Sequence, residues 1–76
     1  MKFFTKHKLI VLSVEDLKNS IGKEVLVENL DIPNVNVTVQ EVNDLYIDLY
    51  CDTQTYTYRM KNYGKTWFAY QIEEVK

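Results

Sequence analysis

The chain has 76 residues, 46% of them hydrophobic and 26% charged, with a formal net charge of −2, which suits one small globular domain and excludes wholesale disorder. A single cysteine, Cys51, and a single histidine, His7, exclude an intramolecular disulfide, a cysteine-based zinc site and a His–His metal pair. Two glycines and one proline leave no room for a phosphate-binding loop, a dinucleotide fingerprint or a low-complexity linker.

Met1-Lys2-Phe3-Phe4 opens like a secretory signal, but Lys6, His7 and Lys8 interrupt it. The apolar run breaks off after Leu9-Ile10-Val11-Leu12, no small-residue cleavage site follows, and nothing approaches the ~20 apolar residues of a membrane span. The expectation is an intracellular, cytoplasmic protein without a membrane partner. In that compartment the sequon Asn36-Val37-Thr38 has no consequence.

Residues 1–12 are expected to form a basic arm with a strand at Lys8–Leu12. A helix is predicted over 13–22: Ser13 caps it, Glu15 and Asp16 suit its positive end, and Gly22 ends it in a left-handed conformation. Val14, Leu17 and Ile21 fall on one stripe that must bury against something. From residue 23 to residue 72 the period is alternating. Glu24–Glu28 begins a strand, Asp31-Ile32-Pro33-Asn34 turns, and Val35, Val37 and Val39 alternate with polar residues. Val42 has the wrong parity, which predicts a bulge near Gln40–Glu41. Asn43-Asp44 turns again.

The run Asp44–Asp52 alternates without exception. Leu45, Ile47, Leu49 and Cys51 share one face, and Asp44, Tyr46, Asp48, Tyr50 and Asp52 share the other. After a turn, Tyr56, Tyr58 and Met60 alternate with Thr55, Thr57 and Arg59. Thr66–Ile72 is the last predicted strand, and Glu73–Lys76 is expected to fray. The whole reads as a single mainly β (α+β) domain over 1–76. It is either a small SH3-like five-stranded barrel or a strongly bent antiparallel sheet, with one short N-terminal helix and an OB-like barrel as a further alternative. The predicted core is Val14, Leu17, Ile21, Val25, Val27, Val37, Leu45, Ile47, Leu49, Trp67 and Phe68.

Charge is segregated along the chain. Residues 24–58 carry Glu24, Glu28, Asp31, Glu41, Asp44, Asp48 and Asp52 and no lysine or arginine. Either these acids pair with basic strands across a sheet, or they form a face that docks on a basic surface of another protein, such as one that normally holds nucleic acid. In the second case Asp44, Tyr46, Asp48, Tyr50 and Asp52 are the binding residues, with the two tyrosines as stiff anchors. The alternative site is Arg59, Lys61, Tyr63 and Lys65, which mix cations with an aromatic as single-stranded nucleic-acid surfaces do. The acidic overall balance argues against that partner. Alternating aspartates also sit ~13 Å apart, matching only about every fourth phosphate of a DNA strand.

Neither a cofactor nor a metal is expected, since the aspartates lack an EF-hand's spacing and glycine. Parity places Cys51 on the apolar face, where a thiol is inert, so the chain is not expected to be an enzyme. Its oligomeric state, a dimer included, stays open.

Asp16–Val27, which contains Ile21-Gly22-Lys23-Glu24-Val25, and the segment Tyr63-Gly64-Lys65-Thr66-Trp67-Phe68-Ala69-Tyr70 together resemble small uncharacterised proteins of Gram-positive phages and mobile elements. Those proteins open with a helix ending in Ile-Gly-Lys/Gln-Glu-Val and close with Tyr-Gly-Lys-Thr-Trp-x-Ala-Tyr; the second motif is the more specific, and the arm before Ser13 is extra here. The resemblance brings no activity. It implies a phage or prophage setting and a host-directed accessory role. By analogy of setting and size, that role would be inhibition of a host defence protein, as anti-CRISPR proteins do.

Overall fold

The computed structural model describes residues 6–33 and 35–75, with side-chain environments for 8–33 and 35–72. Expectations that rest on residues 1–5, Asn34, Lys76 or the side chain of His7 lie outside the described residues. Among the described residues no helix is long and apolar enough to cross a membrane.

Six strands form one antiparallel sheet: β1 Lys6–Val11, β2 Glu24–Glu28, β3 Asn36–Val42, β4 Tyr46–Cys51, β5 Gln54–Arg59 and β6 Phe68–Val75, in the order β1-β6-β2-β3-β4-β5. A short helix, α1 (Val14–Lys18), follows β1, and a 3₁₀ turn at Met60–Asn62 links β5 to β6. The fold is mainly β, as the alternation predicts, but the sheet is open. The expected five-stranded closure does not form, because the arm supplies a sixth strand that covers β6 on the side away from β2. Nor does the C-terminus fray before Val75, since Lys6, His7 and Lys8 pair with Val75, Glu74 and Glu73.

Burial follows strand parity. Val25 and Val27 on β2, Val37 and Val39 on β3, and Ile47, Leu49 and Cys51 on β4 all face inward. A register shift between Val39 and Glu41 then returns Val42 to the buried side, the bulge that its parity demands. Leu12, Leu17, Trp67 and Ala69 complete this core. Tyr63, half-buried, latches the two ends of the fold: its hydroxyl donates to the Leu12 carbonyl and accepts the Ala69 N–H.

The predicted helix is too long. Ser13 caps it through a reciprocal box with Asp16, but it ends at Lys18. Ser20 donates its hydroxyl to the Asp16 carbonyl, and Ile21 leaves the helix to bridge Val39 in parallel. Gly22 is left-handed (φ 87°), yet it serves that bridge and donates its N–H to Val39. Of the predicted apolar stripe only Leu17 is therefore buried, while Val14 and Ile21 are exposed. Leu45 is a second correction, being 69% exposed. The Asn43 side chain accepts the N–H groups of both Leu45 and Tyr46, so the chain is still turning at Leu45 and the ladder starts one residue later. Phe68, also placed in the predicted core, is half-buried.

Two local features carry measurable consequences. Asp52 and Thr53 make the two-residue β4–β5 turn with φ 49° and 65°, the positive pair of a type I′ turn. A β-branched threonine is strained there. Thr53→Gly should raise stability by about 0.5–1 kcal/mol, seen as a higher urea midpoint at unchanged slope.

Tyr58 packs its ring on Trp67 and donates its hydroxyl to Asp31 at 3.2 Å, tying the β2–β3 loop to β5. Burial, then the Asp31 charge and this hydrogen bond, push Tyr58 from 10.0 up to about 12. A raised tyrosine contributes stability that is fully present below its unfolded value and lost as pH climbs through the folded one. Stability should thus fall between about pH 10 and 12, and Tyr58→Phe should lose less over that window. Urea melts taken beside tyrosinate absorbance test this.

Candidate functional site

The outer surface of β4 is set by the pleat. Because Ile47, Leu49 and Cys51 are drawn into the core, Tyr46, Asp48 and Tyr50 must point outward. Tyr46 is 44% and Tyr50 38% exposed, while Asp48 is half-buried between its neighbours. Asp44 stands in the preceding turn and Asp52 in the following one, both exposed. The five residues thus lie along one outward line, as the alternation predicts.

Register fixes what surrounds them. Arg59, Thr57 and Thr55 of β5 lie opposite Tyr46, Asp48 and Tyr50. On the β3 side, Glu41 lies opposite Asp48 and Thr38 opposite Tyr50. The Thr57 hydroxyl donates to Asp48 Oδ1 at 2.7 Å, and the Thr55 hydroxyl donates to Gln40 Oε1 at 2.8 Å. Glu41 and Asp48 are like charges directly opposite each other, an arrangement that destabilises a sheet unless a cation joins it. Asp44 has a cation nearby: Lys18 Nζ of α1 is 3.8 Å from its Oδ1. With both side chains well exposed, that pair contributes little.

The two predicted sites meet at one end of this surface. Asp44, Leu45, Tyr46, Arg59 and Lys61 line an open concavity of about 290 Å³. Tyr63 and Lys65 are not part of it. Tyr63 points inward and stacks edge-on against Trp67, with ring centroids 4.9 Å apart, and its hydroxyl is engaged at Leu12. Lys65 is exposed in the turn before Trp67. The aromatics of the Arg59–Trp67 run therefore pack the core and offer no platform for stacked bases.

Sequence reasoning missed three contributors to the surface. Leu45, expected inside, forms a wall of the concavity. Thr55 and Thr57 alternate with tyrosines on β5, a visible pattern whose pairing to Tyr50 and Asp48 needed the register. A separate apolar strip was also missed: Leu9, Val11 and Ile72 are each about half exposed on one face of the β1/β6 ribbon. Leu9 and Val11 lie in the uninterrupted apolar run Leu9–Leu12, which does not show which of its residues face outward.

Among the described residues no three metal-ligating side chains cluster, and Cys51 is buried on the face opposite Asp48. No protein-family model, curated protein or solved structure matches this chain.

Proposed function

We propose that this protein is a non-enzymatic binding module that occupies a basic surface of another protein through Asp44, Tyr46, Asp48, Tyr50 and Asp52. The observation that carries the reading is the outer face of β4, where two exposed tyrosines alternate with aspartates over a packed inner face. The Glu41–Asp48 pairing across β3 and β4 adds to it, because it sets two acids side by side on the surface that a cationic partner would approach. On this reading the fold is an SH3-like small barrel left open. Support comes from the order β6-β2-β3-β4-β5 and the 3₁₀ turn between β5 and β6. The setting is a phage or mobile element acting in the host cytoplasm, and the module inhibits a host protein such as a defence nuclease. The phage setting rests on the two sequence motifs, and the inhibitory role on analogy of setting and size.

One observation favours a second reading, a single-stranded nucleic-acid-binding barrel: Arg59 and Lys61 flank the exposed Tyr46 in the concavity. A cation pair beside one aromatic is a thin version of a stacking groove. Affinity capture from a Gram-positive host lysate, run beside a single-strand gel shift at two salt concentrations, separates the two. Replacing Asp44, Asp48 and Asp52 together by Asn should slow association with the captured protein and leave the fold intact. Loss of binding on changing Arg59 or Lys61, with those aspartates dispensable, would favour nucleic acid.

A further inference from the structure

The face just described ends at an open edge of the sheet. β5 pairs with β4 and with no other strand among the described residues. Cys51 and Gln54 flank a two-residue turn, so they form a hydrogen-bonded pair, and such pairs recur at 49/56 and 47/58. The Met60 N–H, which donates to the Leu45 carbonyl at 2.9 Å, continues the same parity. Thr55, Thr57 and Arg59 therefore turn their N–H and C=O groups away from β4, toward the edge. Lysine, proline, a bulge and a covering strand are the usual protections of an edge. Gln54–Tyr58 carries no lysine, proline or bulge and pairs with no second strand among the described residues, Arg59 being the one charge on β5, whereas the opposite edge strand, β1, carries Lys6 and Lys8.

We infer that β5 is a strand-addition site for an extended, alternating basic segment of a partner protein. The inference rests on the reading of the β4 face as a protein-binding surface and specifies how the partner engages it. Charge selects the occupant. An added strand lies about 5 Å beyond β5 and about 10 Å from β4. Thr55 and Thr57 are small, so a lysine or arginine stem placed opposite them can lie across β5 toward Asp48. There it approaches two acids, Asp48 and its β3 register partner Glu41. Opposite Arg59 the same strand needs an acid. An antiparallel partner thus reads acid, then two cations, at alternate positions, with apolar residues between them on the side of Tyr56 and Tyr58.

The test uses a synthetic probe, acetyl-TEVKVKT-amide, and its charge-swapped control, acetyl-TKVEVET-amide, with the full chain. The probe should slow amide hydrogen exchange at Thr55, Thr57 and Arg59 about tenfold or more, and the control should not. Thr57→Pro removes an edge donor that the β4 ladder does not use, so the fold should survive while probe affinity falls about tenfold. Thr57→Lys keeps the donor but sets a cation where the probe's lysine must lie, and should weaken binding also. Asp48→Asn should weaken it by up to about fivefold.

No protection at those three amides with the probe at about 1 mM overturns strand addition, as does equal binding of the control. A concentration-dependent dimer that Thr57→Pro dissociates would make the occupant a second copy and overturn it too. With the captured full-length partner, loss of binding in the triple Asn variant but not in Thr57→Pro overturns strand addition and leaves the face standing. Full binding by both, and by Tyr46→Ala and Tyr50→Ala, overturns the face as well.

Discussion

Trp67→Ala should leave the chain unfolded at ambient temperature. The indole is 2% exposed, the largest of the fully buried side chains, and it sits against Tyr58 and Tyr63 with ring centroids at 5.4 and 4.9 Å. Truncating a ring so enclosed costs about 3–5 kcal/mol, comparable with the whole reserve of a domain this size. Its Nε1–H has no hydrogen-bond partner among the described residues, so the indole contributes through packing. The loss should spread beyond the cavity. Tyr63 leans on Trp67 and joins Leu12, just past β1, to Ala69 on β6, so removing the indole loosens that latch as well. Circular dichroism and urea melts check the expectation. A soluble Trp67→Ala variant that still melts cooperatively would show that the core does not depend on this ring.

Tyr46→Ala and Tyr50→Ala should each weaken partner binding by about 2 kcal/mol, roughly 30-fold, mainly through faster dissociation. Both rings are exposed in the free protein and stand on a strand whose inner residues are buried in the core. They can therefore be desolvated at little ordering cost. The aspartates should behave differently. Asp44 and Asp52 sit in exposed turns, where salt screens their charge, and so they govern encounter and register more than residence. Raising salt should slow association and leave the dissociation rate nearly unchanged. Equal effects of salt on both rates would mean that the aspartates are buried and paired in the complex.

Periodicity makes most of this legible in the sequence. Alternation from Asp44 to Asp52 gave the buried line Ile47, Leu49 and Cys51 and the outward line of tyrosines and aspartates. The parity break at Val42 gave the bulge. What stayed hidden was non-local. Ile21 fits a helical stripe as well as it fits a bridge to Val39, and only the position of β3 decides between them. Leu45 belongs to the inner face by parity, yet Asn43 holds its N–H in the turn, a local bond that outweighs the pattern. The arm offered an apolar run without a partner, and its pairing with β6 is a contact between opposite ends of the chain. The convergence of Asp44 and Tyr46 with Arg59 and Lys61 likewise depends on the β4–β5 register, since the sequence presents them as rival sites.

The most direct test of the account is a backbone chemical-shift map of the isotope-labelled protein on adding its captured partner. Changes should concentrate at Asp44–Asp52 and at Thr55–Arg59, with Leu9, Val11, Ile72 and Lys65 silent. Changes confined to the β1/β6 ribbon around Leu9, Val11 and Ile72, or to Lys65, would place the binding surface elsewhere and contradict it.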